Sequence, residues 1–94
     1  MKKYIEDWFN INLKYFNEGD IIGISKIELG YQIMYDCSFI SFFKGIVKAK
    51  IISGNPQWAV SSARNTEITA RPTKCFLRNK REECYWFTKE GKLE

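Results

Sequence analysis

The sequence predicts an α+β fold, in which a small, twisted antiparallel β-sheet is flanked by an N-terminal helix and a short C-terminal helix. Its 94 residues are enough for a single domain, residues 1–94, with one modest core. Apolar residues make up 45% and aromatic residues 16% of the chain, which excludes a disordered tail. Apolar side chains have helical spacing near the N-terminus and strand-like alternation through the middle, which sets the order of the elements.

The first element is a predicted helix over residues 2–17, since its apolar side chains are three or four positions apart and Gly19 can end it. The apolar positions are Tyr4, Ile5, Trp8, Phe9, Leu13 and Phe16. From Ile11 to Tyr15 apolar and polar residues also alternate, which fits a strand as well as a helix.

Residues 19–77 have the texture of a β-sheet. Strands are expected over residues 20–24, 31–35, 44–53, 57–61, 67–71 and 74–77. In the stretch 44–53, Val47, Ala49 and Ile51 point to one face while lysines alternate with them on the other. Gly54-Asn55-Pro56 predicts the turn that separates this strand from the next.

The C-terminal segment 79–91 permits two structures. Asn79 followed by Glu82 fits a helix N-cap with its acidic partner at N3, and Gly91 can end such a helix. In the alternative, 79–81 is the turn of a hairpin whose return strand is 84–87, because Tyr-Trp-Phe favours strands. We expect the helix and keep the hairpin as the alternative.

Three short motifs resemble a known group of proteins. Gly19-Asp20-Ile21-Ile22 opens one strand, and Lys44-Gly45-Ile46-Val47 opens another. The run from Cys75 to Cys84 resembles the strand and Asn-x-x-Glu-Glu helix that end many small phage and prophage proteins. The resemblance implies a five-stranded SH3-like β-barrel with a terminal helix, residues 19–77 being the barrel, and an origin in a mobile element. It implies no particular activity.

Cations outnumber anions mildly, 15 to 11, which gives a net charge of +4 and a pI near 9.0. Eight of them form a predicted basic face if the strands that carry them are neighbours. They are Lys44, Lys48, Lys50, Arg71, Lys74, Arg78, Lys80 and Arg81. Such a face suits a phosphate backbone or an acidic protein surface. The alternative is a solvated face that keeps a small sheet soluble and protects its edges.

Aromatic side chains supply the predicted apolar contacts with a partner, namely Phe39, Phe42, Phe43 and Trp86. Residues 38–43 carry no charge, so as a loop they would expose an apolar patch of the kind that marks a partner surface. As a strand they would instead contribute to the core. The sequence leaves both possibilities open.

Catalytic chemistry is sparse. The chain has no histidine, which excludes His-based triads, Cys-His dyads and His-ligated zinc, and its three cysteines lack metal-binding spacing. The carboxylates Asp20, Glu28 and Asp36, and a Ser61-Ser62 pair with Lys50, match no known site. We therefore expect no enzyme activity, no cofactor and no bound metal, with the cysteines reduced.

The function predicted from these features is that of a small non-enzymatic inhibitor of phage type, which blocks a host protein or protein–nucleic-acid complex by covering its surface. An anti-CRISPR or other anti-defence protein fits this description by analogy. The alternative is direct nucleic-acid binding by the basic face. We expect a cytoplasmic monomer or homodimer without membrane contact, because Glu6 and Asp7 interrupt any signal peptide and no apolar run has the length of a membrane helix.

Overall fold

Two hairpins built on one long strand organise the structure. The computed structural model describes residues 11–93, which form β1 (Ile21–Glu28), β2 (Tyr31–Phe43), β3 (Ile46–Asn55), β4 (Glu67–Ala70), β5 (Cys75–Arg78) and β6 (Cys84–Trp86). One helical turn, α1 (Gln57–Val60), and the 3-10 turns Leu13–Tyr15 and Pro72–Lys74 complete it. The strands make one antiparallel sheet in the order β4-β3-β2-β1-β5-β6.

The two hairpins use the same turn. Leu29-Gly30 joins β1 to β2, and Lys44-Gly45 joins β2 to β3, with φ positive at both residues of each pair. This is the type I′ pattern, whose twist matches that of the flanking strands. Glycine is suited to the second position because it has no Cβ to clash there.

The core lies on one face of the sheet, where every second residue of the central strands points inward. Its members include Ile22 and Ile24 on β1, and Val47 and Ala49 on β3, all 0% exposed. Phe16 closes one end of this layer against Phe39, with ring centroids 5.4 Å apart. Burial of these side chains is the main force that holds the strands in register.

The opposite face of the sheet is covered only in part, by Phe76. Its ring lies across Gly23 on β1, so close that a Cβ at Gly23 would stand 2.3 Å from the ring carbons. Trp86 packs beside it, with ring centroids 5.0 Å apart. Gly23 therefore lets a second apolar layer form outside the main core.

The predicted SH3-like barrel is wrong, because the sheet is not closed. Within residues 11–93 β4 pairs only with β3 and β6 only with β5, which leaves two outer strands at the edges. After β4 the chain enters a 3-10 turn at Pro72, which has no backbone N–H with which to continue a ladder.

The predicted C-terminal helix is also wrong, and the alternative hairpin forms instead. Arg78 on β5 faces Cys84 on β6 across a turn. The side chain of Asn79, expected to cap a helix, instead accepts hydrogen bonds within this turn. Its Oδ1 accepts from the backbone N–H groups of Arg81 (2.8 Å) and Glu83 (3.0 Å). Packing of Trp86 on Phe76 favours the strand over the helix.

The predicted N-terminal helix lies partly outside the described residues, which begin at Ile11. Its second part, 11–17, forms a 3-10 turn at Leu13–Tyr15 rather than an α-helix. This segment is held by the other terminus, since Leu13 N donates to Gly91 O (2.7 Å) and Leu93 N donates to Ile11 O (3.1 Å). Contact between the termini therefore replaces helical hydrogen bonds here.

The strand predicted over 57–61 is wrong as well. Gln57–Val60 forms one helical turn after Pro56, and Ser61 N donates to Gln57 O (3.1 Å). Val60 turns into the core while Trp58 stays 57% exposed, so the two residues do not share a face as they would in a strand. A turn at this position carries the chain from β3 to β4.

Candidate functional site

A cleft of about 480 Å³ opens between β1 and the end of β4, and we name it the basic cleft. The 3-10 turn Pro72–Lys74 closes one end of it. Its lining consists of three cations, three neutral polar residues and three apolar residues: Lys26, Arg71, Lys74; Ser25, Gln32, Thr69; Ile27, Ile46, Ala70. A concave site of this size with a few convergent polar groups has the dimensions of a ligand site.

The charge of the basic cleft has one sign. Lys26, Arg71 and Lys74 contribute three positive groups, and none of the carboxylates of residues 11–93 is among the lining residues. None of the ion pairs found within residues 11–93 involves these three cations. Walls of low dielectric concentrate the field of such a group, so the cleft attracts anions more strongly than isolated surface lysines do.

Neutral side chains complete the walls. Gln32 Nε2 donates to Ser25 Oγ at 3.1 Å, which leaves the carbonyl oxygen and a second N–H of the amide for other partners. Ile27 is 75% exposed, and at the hairpin tip beyond it Leu29 is 90% exposed. The cleft therefore combines a cationic interior with an aliphatic rim.

The predicted basic face is divided by the structure. Arg71 and Lys74 line the basic cleft, whereas Lys48 and Lys50 stand on the outer side of β3 and Lys44 occupies the β2–β3 turn. Of the lysines on β3, Lys48 has its Nζ 4.0 Å from a carboxylate oxygen of Glu67, and Glu67 is the register partner of Lys50. An exposed pair of this length contributes little stability and leaves both lysines accessible to solvent.

Arg78 does not belong to an exposed basic face, which corrects its predicted position. Its Nη1 donates to Asp36 Oδ1 at 2.5 Å, and its guanidinium lies 5.0 Å from the ring centre of Phe76. Ser53 Oγ donates to the other oxygen of Asp36 at 3.2 Å. Burial acts to lower the pKa of Arg78, but the attraction of Asp36 outweighs it and the pKa is raised, so the cation stays charged.

The last two cations of the predicted set, Lys80 and Arg81, lie in the turn between β5 and β6. Neither lines the basic cleft. The structure therefore brings together only Arg71 and Lys74 of the eight predicted cations in this cleft and adds Lys26, which the prediction missed.

The predicted aromatic contacts differ widely in exposure because of a β-bulge. The register between β2 and β3 shifts at Ile40, so Phe39 is paired with Ala49 but Phe42 with Val47. Phe39 is consequently 3% exposed and part of the core, Phe42 is half-buried, and only Phe43 is largely exposed, at 69%. Without the bulge, Phe39 and Phe43 would share one face.

Trp86, the remaining predicted contact, is half-buried against Phe76. Several exposed apolar residues that the prediction missed, Ile27, Leu29 and Tyr31, lie on the β1–β2 hairpin. Tyr31 packs edge-on against the exposed Trp58, with ring centroids 5.6 Å apart. The missed cation could have been found from its position in the strand. Lys26 follows Ile22 and Ile24 at alternate positions, so it places a charged side chain on the inward-facing side of β1.

The acids and thiols considered in the sequence serve structural roles. Asp20 Oδ2 accepts from Asn17 N (2.9 Å), and Glu28 Oε2 accepts from Tyr35 Oη (3.3 Å). Burial raises the pKa of both the Cys37 and the Cys75 thiols to about 12, which keeps them protonated and unreactive at neutral pH. Within residues 11–93, no three carboxylate, thiol or imidazole groups are placed to hold a metal ion together.

Comparison with known protein families, with curated proteins and with solved structures finds no match for this chain. Among the helices of residues 11–93, none has the length and apolar character needed to cross a lipid bilayer. The geometry of the basic cleft and its rim is therefore the basis for a functional proposal.

Proposed function

We propose that this protein is a non-enzymatic binding protein that docks on an acidic surface of a protein partner and blocks it by occupying it. The observation that supports the proposal is the basic cleft, where Lys26, Arg71 and Lys74 converge and no carboxylate from residues 11–93 lines the walls. Uncompensated like charges repel one another, and an anionic partner relieves that repulsion on binding.

The rim favours a protein over a nucleic acid as the partner. Ile27 and Leu29 are aliphatic and highly exposed, and side chains of this kind bury well against other protein side chains. Bases stack on aromatic rings instead, and two of the exposed rings, Tyr31 and Trp58, already pack edge-on against each other. Direct nucleic-acid binding is the competing outcome of the test below.

The proposed action is steric. Cations in the cleft attract the acidic segment and orient it, and the aliphatic rim beside them supplies desolvated contact area. A host nucleic-acid-handling system as the target, and a phage origin, stay predictions, because no similar protein connects this chain to either.

The test measures binding to defined anionic probes by fluorescence anisotropy. The probes are a peptide of alternating Glu and Val, about twelve residues long, and single- and double-stranded DNA of about 20 nucleotides. The cleft variant carries Lys26→Ala, Arg71→Ala and Lys74→Ala. The matched control carries Arg64→Ala, Lys89→Ala and Lys92→Ala. Both triple variants therefore have a formal net charge of +1, three below the +4 of the wild type.

We expect the cleft variant to bind the peptide about 10-fold more weakly than the wild type, since each lost ionic contact costs about 0.5 kcal/mol. The control variant should lose at most about 2-fold. Equal losses in both variants would show that net charge alone drives binding. Tighter binding to DNA than to peptide, with a log–log salt slope of about −0.7 per single-strand phosphate contacted, would establish the nucleic-acid alternative instead.

A further inference from the structure

The walls of the basic cleft expose backbone as well as side chains. Its lining includes the consecutive residues Ser25, Lys26 and Ile27 of β1, and the consecutive residues 69–71 at the end of β4. Side chains alternate between the two faces of a strand, so a cleft over one face would be lined by every second residue. Consecutive lining residues mean that the cleft lies along the edges of both strands.

The edge of β1 that faces the cleft has no strand beside it. β1 pairs with β5 only at Gly23 and Ile24, and within residues 11–93 no strand pairs with its residues 25–28 on that side. The chain of β5 leaves this line at the 3-10 turn Pro72–Lys74, where Lys74 N donates to Arg71 O (2.9 Å) rather than to a strand. The sheet position next to β1 is thus filled by β5 at two residues, and at the next four it holds no strand of residues 11–93, although the 3-10 turn packs near β1 there.

The hydrogen-bonding direction along β1 follows from its pairing with β2. Phe39 N donates to Asp20 O (2.7 Å), and antiparallel ladders bond every second residue, so the even-numbered residues of β1 bond to β2. The type I′ turn at Leu29-Gly30 agrees, because the residue before such a turn, Glu28, forms a hydrogen-bonded pair with Tyr31. The N–H and C=O of Ile27 consequently point toward the open edge.

We infer that an extended acidic segment of the partner binds in the basic cleft as an added β-strand, hydrogen-bonded to the open edge of β1 in line with β5. This inference rests on the proposed function and specifies its ligand as a strand-forming acidic peptide. Main-chain hydrogen bonds hold the segment, and acidic side chains at alternate positions meet Lys26, Arg71 and Lys74. β4 and the 3-10 turn form the opposite wall.

Charge complementarity and edge geometry select this occupant together. A nucleic acid would satisfy the cations but has no peptide groups to pair with Ile27. An apolar strand would satisfy the backbone but would leave three cations partly desolvated without counter-charges. An acidic extended peptide meets both requirements of the cleft.

The first measurement is amide hydrogen exchange, followed by NMR on the full chain with a saturating amount of the Glu-Val peptide. In the free protein the amide of Ile27 should exchange freely, whereas that of Glu28 is already protected by Tyr31. We expect the peptide to slow exchange at Ile27 at least about 10-fold by pairing with it.

The second measurement uses two N-methylated versions of the same peptide, each blocked at one alternate set of amides. A strand added to one edge uses only one set, so the two versions should differ in affinity by at least about 10-fold. Equal affinities with unchanged exchange at Ile27 would overturn strand addition while leaving the proposed function in place. No binding of the unmodified peptide to the wild type would instead overturn the proposed function.

Discussion

Arg78 and the cations of the basic cleft all lie on or beside β1, yet they differ in one respect. Arg78 reaches across β1 to Asp36, and the two side chains are only 20% and 18% exposed. Lys26, Arg71 and Lys74 lie farther along β1, where the described part of the chain contributes no carboxylate to the cleft lining. A cation therefore stabilises the fold or stays available to a ligand according to which carboxylates its neighbouring strands carry.

The two regions also differ in how β1 is covered. Beside Gly23 the strand has neighbours on both edges and the Phe76 ring across its outer face. Beyond Ile24, β2 is the one strand of residues 11–93 that pairs with it. Full coverage desolvates the Asp36–Arg78 pair and makes its geometry important to stability, whereas the open half of the strand leaves charges and backbone groups accessible.

The largest expected effect comes from separating the buried pair. Asp36→Ala leaves the half-buried Arg78 guanidinium without its main counter-charge, and we expect a loss of about 3 kcal/mol in the free energy of unfolding, measured by urea denaturation. Glu82→Gln is the control, since Glu82 is 3.7 Å from Arg78 and 60% exposed in its side chain, and it should cost at most about 0.5 kcal/mol. Similar small losses in both variants would contradict a structural role for the Asp36 pair.

A somewhat smaller loss is expected where Phe76 covers the sheet. Gly23→Ala places a Cβ against the ring and should cost about 2 kcal/mol in the same measurement. In a background with Phe76→Ala, the added methyl group should cost much less, because the ring it would strike is gone. An unchanged cost in that background would locate the strain elsewhere on β1.

Unlike the Asp36–Arg78 pair, the cations of the basic cleft should contribute little to the free energy of unfolding. Replacing Lys26, Arg71 and Lys74 with alanine should change the free energy of unfolding by less than about 1 kcal/mol, because no carboxylate among residues 11–93 forms an ion pair with them. The same variant is expected to lose peptide affinity, as described above. A loss of stability as large as that of Asp36→Ala would show that these cations serve the fold.

The smallest effect concerns the two hairpin turns that share one geometry. Leu29 and Lys44 both have φ of 52°, a conformation that asparagine tolerates better than either residue. Leu29→Asn and Lys44→Asn should each raise the free energy of unfolding by about 0.5 kcal/mol. Only Leu29→Asn removes an aliphatic group from the cleft rim, so only that variant should weaken peptide binding measurably. Equal affinities of the two variants would remove Leu29 from the proposed contact.

Local pattern predicted some elements correctly and others not. Alternation placed Val47, Ala49 and Ile51 in the core, where each is at most 3% exposed. It failed for Gln57–Val60, where the chain forms a helical turn. It also left open whether residues 38–43 are a loop or a strand, and a bulge within the strand puts Phe39 in the core while Phe43 stays exposed. A bulge changes which face a side chain occupies without leaving a mark in the hydrophobic pattern.

The candidate site was only partly predictable for a related reason. Arg71 and Lys74 stood out as cations, but the basic cleft also needs Lys26 from a distant part of the chain. Arg78 looked equivalent to them in sequence, and its removal from the set depends on Asp36, which is 42 positions away. Net charge and spacing contain no information on such partners.

Alternation and composition alone were enough to establish a β-rich core with lysines on its outer side, because side-chain direction along a strand follows from local backbone geometry. Strand order, the open edge of β1 and the pairing of each cation came only from the folded chain. These depend on which segments meet across long separations, and that choice is made by the sum of many weak contacts over the whole sheet rather than by any short run of residues.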